Sequence, residues 1–321
     1  MTAGDDAERS DEEERRFVTA GDDAERSDEE EWRFVTEQVK LGYIGLGKMG
    51  APMAKRLVAW PGGVTVFDIR TEAMTPLAEA GATLADSVAD VAAADIISIT
   101  VLNDEQVRAV VAELARNVRP GTVVAIHSTI SDTTAAELAR ELEPQGIHVV
   151  DAPVSGGGRA ANKGELATMV GATEEAFALV KEPFSLWASL VIHAGEPGAG
   201  TRMKVARNML HYISFAAACE ASKLAEECGI NLQDLGKVVR HTDAITGGAG
   251  AIMFRDNMKP LEPDSFLYEP FLHARVLGEK DLSLALALGE AHAVALPLAT
   301  IALERLADGL GVPHTAPTTK E

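Results

Sequence analysis

Lys204 and Asn208 stand one helical turn apart, just after a Gly198-Ala199-Gly200 turn, and share one face of a long helical stretch. A lysine beside a cleft can lose its proton near neutral pH when partial burial disfavours the ammonium. Such a pair could exchange a proton with a bound molecule while the amide holds the amine or a hydroxyl. Spacing alone fits a solvated pair equally well. His127, at the end of an apolar run, is either a second proton carrier or a satisfied residue at a cleft edge. Ser155-Gly156-Gly157-Gly158 would turn successive N–H groups toward a carboxylate, unless it is a flexible turn.

Phosphate chemistry is written more plainly. A short apolar strand, Leu41 to Ile44, runs into Gly45-Leu46-Gly47-Lys48-Met49-Gly50, and helix formers follow from Ala51 to Trp60. The first glycine allows the tight turn, the second lets backbone approach a pyrophosphate, and the third lets helix pack on strand. The helix start offers N–H groups and a partial positive charge to phosphates. A second strand, Val64 to Phe67, ends at Asp68, about 20 residues on, where a carboxylate would accept a ribose hydroxyl. Strand, loop, helix, strand and acid together predict a dinucleotide site.

The elements that must position these residues alternate from residue 40 to about 195. Apolar strands at 95–101, 122–126, 147–154, 164–171 and 190–193 are separated by helical stretches at 71–79, 87–94, 105–117, 131–142 and 172–186. That is the pattern of a doubly wound, mostly parallel sheet covered on both faces. The polar loops at Leu102-Asn103 and Ser128-Thr129 fall at carboxyl strand ends, where open α/β sheets bind ligands. Ser131 is expected to cap its helix. Beyond residue 198 strand signals vanish. A spine helix is predicted over 201–228, followed by helices at 231–241, 250–258, 271–289 and 297–309. The expected domains are an acidic tail (1–38), a Rossmann domain (39–197), an all-α domain (198–312) and a short tail (313–321).

Composition narrows the partners. A net charge of −20 in 321 residues argues against nucleic acid and anionic membrane. Part of it is local: residues 2–18 recur as 19–35 with only Arg15 changed to Trp32, and these two copies hold fourteen acids against five arginines. Such a faithful tandem copy is not a fold element. Cys219 and Cys228, roughly 13 Å apart if on one helix, are expected to be reduced core thiols. No apolar run is long enough for a membrane span and no leader pattern is visible, so a cytoplasmic location is expected. Apolar residues along the spine suggest a homodimer or homotetramer.

Four stretches resemble the β-hydroxyacid dehydrogenase family, which shares the 6-phosphogluconate dehydrogenase-type fold. They are Gly45-Leu-Gly-Lys-Met-Gly-Ala-Pro-Met-Ala54, Asp151-Ala-Pro-Val-Ser-Gly-Gly157, Gly198-Ala-Gly-Thr-Arg-Met-Lys204 running to Asn208, and Lys280-Asp281-Leu282 before a final helix with Pro297-Leu298. The resemblance covers residues 40–310 and implies a Rossmann domain and an all-helical domain with the site between them. It implies that Lys204 is the general acid/base and Asn208 its partner, that Ser155, Gly156 and Gly157 bind the substrate carboxylate, and that Lys280 reaches nicotinamide and substrate. The implied reaction is hydride transfer between nicotinamide and a short 3-hydroxy acid, with no metal. Imine or keto-acid reduction, or a silent nucleotide-binding scaffold, are the alternative readings of the same fold, and Lys204 argues against both. Asp68-Ile69-Arg70 favours NAD, since Asp68 would repel a 2′-phosphate, although Arg70 could turn toward one and leaves NADP possible. Arg207 replaces the first of two asparagines usual in the family, and residues 241–248 lack its serine-rich pattern.

Overall fold

The computed structural model describes residues 39–314; the duplicated acidic segment and the residues after His314 lie outside it. Nine strands form one sheet: β1 (Leu41–Ile44), β2 (Val64–Phe67), β3 (Thr83–Leu84), β4 (Ile96–Ile99), β5 (Val123–Ile126), β6 (His148–Asp151), β7 (Val154–Ser155), β8 (Leu166–Gly171) and β9 (Ala188–Gly195). Their order is β3-β2-β1-β4-β5-β6-β8-β7, with β9 paired to β8. The first six are parallel and closely in register: Ile44 pairs with Phe67 and Ile99, Ile99 with Ile126, and Ile126 with Asp151. Their carboxyl ends therefore finish along one edge. The residues that follow, among them Asp68, His127 and Ala152, are delivered to that edge by register alone. At Asp151–Gly171 the direction reverses, and β8 runs antiparallel to β6 and β7.

Burial on both faces explains the near-continuous apolar strands. On one face Tyr43, Met53, Leu57, Val150, Phe184 and Trp187 pack with α1 (Gly50–Leu57) and α7 (Glu174–Ser185). On the other, Ile44, Ile99, Val111, Ile126 and Leu138 pack with α4 (Asp104–Leu114) and α5 (Asp132–Leu142). The remaining helices of this part are α2 (Thr71–Glu79), α3 (Val88–Val91) and α6 (Gly157–Lys163). The predicted helices and strands are present, most with shorter ends. One local expectation fails, and the flexible-turn alternative for the glycine run gives way. Ser131 occupies the N-cap position of α5 without capping it, because its hydroxyl is paired with Thr133 Oγ1 at 3.0 Å. The glycine run at 156–158 does not stay a turn: Gly157 opens α6.

The long helix, α8 (Ala199–Glu227), starts two residues earlier than its periodicity indicated. The chain divides into two compact units between Ala206 and Arg207, so its first two turns belong with the sheet. The second unit contains the rest of α8, α9 (Leu232–Thr246), α10 (Tyr268–Ala291) and α11 (Pro297–Leu310). Glu220 holds the start of α11, accepting the Leu298 and Ala299 N–H groups. Leu267, Phe271, Leu310 and Val312 make a small core. The helix expected over 250–258 is absent, replaced by a 3-10 turn at Gly248–Ile252; Gly247, Gly248 and Gly250 make a regular helix costly there. Both cysteines are free, but Cys219 is exposed on α8 and is no core thiol. No helix among the described residues is long and apolar enough to cross a membrane.

Candidate active site

The three glycines after β1 are required for different reasons. A side chain on Gly45 would put Cβ 2.1 Å from the Thr100 carbonyl oxygen, and one on Gly50 would meet the Gly45 oxygen at 1.9 Å. Both must be glycine for strand and helix to close. Gly47 differs: a Cβ there would meet nothing within 4 Å. The protein itself does not need glycine at 47, and the open space is what a pyrophosphate approaching the backbone would fill. The N–H groups of Gly47, Lys48 and Met49 have no acceptor among the described residues. Gly47 and Lys48 are exposed, and α1 starts directly behind them. The loop fits a dinucleotide phosphate group.

Asp68 is nearly buried beside this loop. Its Oδ2 accepts the Leu46 N–H at 2.7 Å, and its Oδ1 accepts the Arg70 N–H at 2.9 Å and the Arg70 Nε–H at 3.2 Å. Burial alone would raise this carboxyl, but the donors from Arg70 and Leu46 outweigh it and hold it below the usual carboxylate range. An ionised acceptor thus stands beside the glycine loop. Arg70 folds back onto Asp68, and Ile69 between them projects almost fully into solvent. Further along the edge, Leu102 is exposed, Asn103 caps α4 through the Gln106 N–H, and Thr129 is exposed. Ser128, which sequence reasoning grouped only with its neighbours, latches two strand ends by donating to the Val101 carbonyl and accepting its N–H.

Lys204 is only 8% exposed, an uncommon state for a lysine. Its Nζ donates to the Val154 carbonyl at 2.7 Å. Val154 precedes Ser155, Gly156 and Gly157, and the two glycines take φ of +133° and +72°, a backbone that side chains disfavour. A Cβ on Gly158 would lie 3.8 Å from the Lys48 oxygen, so this glycine run and the phosphate loop are neighbours. The amine, the glycine run and the loop singled out from sequence thus lie near one another. Asn208 lies one turn beyond Lys204 on α8, half-buried and in contact with Arg207. Lys280 lies on α10 in the second unit, its ammonium 2.8 Å from Asp281.

His127 is no proton carrier. It is 4% exposed and satisfied at both nitrogens, by the Ala152 carbonyl at 2.8 Å and Ser98 Oγ at 3.0 Å, among Tyr43, Phe184 and Trp187. Burial pushes its pKa down to about 4 against the pull of the Ala152 carbonyl. Asp151 escaped sequence reasoning because an acid ending an apolar strand looks like a solvated residue. It is fully buried, and its two oxygens accept the Gly198 and Thr201 N–H groups at 2.6 Å each.

Comparison with known proteins bears on the family and the fold. A family model for the NAD binding domain of 6-phosphogluconate dehydrogenase matches residues 40–195, and one for NAD-binding of NADP-dependent 3-hydroxyisobutyrate dehydrogenase matches residues 198–311. An uncharacterized oxidoreductase of Mycobacterium tuberculosis is 68% identical over 87% of this chain and 95% of its own. The chain belongs to the β-hydroxyacid dehydrogenase family. It is an NAD(P)-binding oxidoreductase, with a Rossmann domain followed by an all-helical region, as the resemblance implied. The solved structure of an oxidoreductase from Mycobacterium avium 104 is similar at 74% identity and TM-score 0.84, covering 86% of this chain and all of that one. A 3-hydroxyisobutyrate dehydrogenase of Mycobacterium tuberculosis, solved with L-serine, is 32% identical with TM-score 0.60, over 84% of this chain and 92% of that one.

Two outcomes follow from the geometry. Gly47→Ala should keep stability within about 1 kcal/mol but weaken dinucleotide affinity by roughly tenfold or more, read by calorimetry; unchanged affinity would remove the loop from the site. For His127, the folded pKa lies below the unfolded value near 6.5, so its contribution is present above that value and is lost as pH falls toward 4. Between pH 7.5 and 5 the loss should be about 2 kcal/mol. Denaturant titrations should show this loss in the native chain and a smaller one in His127→Phe.

Proposed function

We propose that this protein is a dehydrogenase of short 3-hydroxy acids, working toward or from the matching semialdehyde, with Lys204 as general acid/base and NAD as preferred cofactor. The observation that carries this reading is the nearly buried Lys204 amine, bonded to the carbonyl next to the Ser155-Gly156-Gly157 nest. When bound, a nicotinamide dinucleotide supplies the hydride acceptor in oxidation and the donor in reduction. In oxidation Nζ, as the neutral amine, takes the substrate hydroxyl proton; in reduction the ammonium returns it. The bond to Val154 ties up one N–H and so limits the directions in which the rest of the amine can point. The Ser155 hydroxyl and the N–H groups of Gly156 and Gly157 receive the substrate carboxylate. Asn208 holds the amine or the substrate hydroxyl, and Lys280 serves nicotinamide and substrate; both roles rest on the family resemblance.

NAD is preferred because an ionised, nearly buried Asp68 would face a 2′-phosphate at close range. Arg70 is already committed to Asp68 and would have to break that contact to reach such a phosphate. The helical unit exposes Tyr212, Phe215, Val238 and Phe254, which supports self-association as a homodimer or homotetramer.

A panel of 3-hydroxyisobutyrate, 3-hydroxypropionate, glycerate, serine, threonate and 4-hydroxybutyrate, followed by absorbance of the reduced cofactor, tests the reading. Turnover is expected with at least one 3-hydroxy acid, with higher kcat/KM for NAD than for NADP. Lys204→Ala should lower kcat by about 10²–10⁴-fold with NAD affinity retained, and near-normal kcat in that variant would overturn the assignment. Sedimentation of the purified chain should return a dimer or tetramer; a monomer at all concentrations would contradict the assembly.

A further inference from the structure

We propose that Asp151 is the positioning residue for the Lys204 amine, its carboxylate locking the first turn of α8 to the end of β6. This inference rests on the acid/base reading of Lys204 and adds to it the element that sets where the amine stands. Asp151 Oδ1 accepts the Gly198 N–H and Oδ2 the Thr201 N–H, each at 2.6 Å. The two donors span the start of the helix, so the pair fixes both its height and its rotation. Lys204 follows Thr201 by three residues, less than one turn.

The surroundings leave this carboxylate little room to be anything else. A Cβ on Gly171 would fall 2.1 Å from Asp151 Oδ1 and 2.8 Å from the Gly200 nitrogen. A Cβ on Gly200 would fall 2.3 Å from the Met169 oxygen and 2.6 Å from the Asp151 oxygen. Two residues that must be glycine thus let β6, β8 and the helix close around Asp151, whose burial pushes its carboxyl above the usual carboxylate range against the pull of the Gly198 and Thr201 N–H groups. The same segment receives the amine. Its successive carbonyls at Ala152, Pro153 and Val154 take His127, the Met169 N–H and Lys204 Nζ. Clamp and amine acceptor are therefore three residues apart on one stretch of backbone that is tied down at each residue.

A helix start needs far less than this. A serine or asparagine cap would satisfy its N–H groups without burying a carboxyl group. What two short bonds to separate oxygens of one carboxyl group add is restraint on rotation. A turn of about 10° about the helix axis would swing a side-chain tip at roughly 6 Å radius by about 1 Å. Displacements of that size at a reacting group cost about 10²-fold in rate.

The test compares the native chain with Asp151→Asn, which keeps the shape and turns one acceptor into a donor. In the cofactor-free protein, acylation of Lys204 by acetic anhydride is measured by peptide mass spectrometry against exposed Lys237. Asp151→Asn is expected to raise the relative acylation of Lys204 at least fivefold and to lower kcat by about 10- to 100-fold, with NAD affinity within twofold. Folded Asp151→Asn protein whose Lys204 acylation and kcat both stay within twofold of native would overturn the proposal. If that variant does not fold, Asp151→Ser, which keeps one acceptor, is read the same way. Should Lys204→Ala retain turnover, the acid/base reading fails by itself, while the acylation comparison still decides whether Asp151 places the amine.

Discussion

The 2.7 Å bond from Lys204 Nζ to the Val154 carbonyl asks the surrounding backbone to hold an amine away from bulk water at a defined place. Both ends of that bond descend from the same strand. β6 carries Asp151, which grips the helix bearing the lysine, and then continues through Val154, which receives the amine. Parallel register brings the end of β6 to the sheet edge occupied by the Gly45–Gly50 loop and Asp68. The glycine loop after β1 and the backbone that receives the Lys204 amine after β6 thus share an edge because their strands stop together.

Charge is used sparingly within this frame. Among the buried groups of the first unit, Asp68, Asp151 and Lys204 each meet partners that satisfy them, and His127 stays neutral through burial. Neutral His127 spans Ser98 on β4 and the Ala152 carbonyl after β6, bracing the strand end from beneath. Part of the chain's net charge of −20 falls in the duplicated segment.

What could be read in advance followed from local rules. The glycine loop, the strand–helix alternation and Asp68 are legible because each is set by residues adjacent in sequence. Lys204 and the Ser155–Gly157 nest were visible as candidates, and the family resemblance joined them. Contacts that depend on tertiary closure were not legible. Asp151 meets its donors 47 and 50 residues later, so no window around it distinguishes a clamp from a surface acid. Two misses were local instead: the Ser131 hydroxyl pairs with Thr133 two residues on, and the glycines near 250 override an apolar pattern that suggested a helix. Cys219 looked like a core residue because its helix is apolar, yet the described fold leaves it exposed.

The most direct measurement is a crystal structure of the chain with NAD and a turned-over 3-hydroxy acid. The account predicts Lys204 Nζ within about 3.2 Å of the substrate hydroxyl oxygen, with the substrate carboxylate on Ser155 and the two glycines after it. A substrate whose hydroxyl meets a different side chain, with the Lys204 amine turned to bulk water, would contradict it.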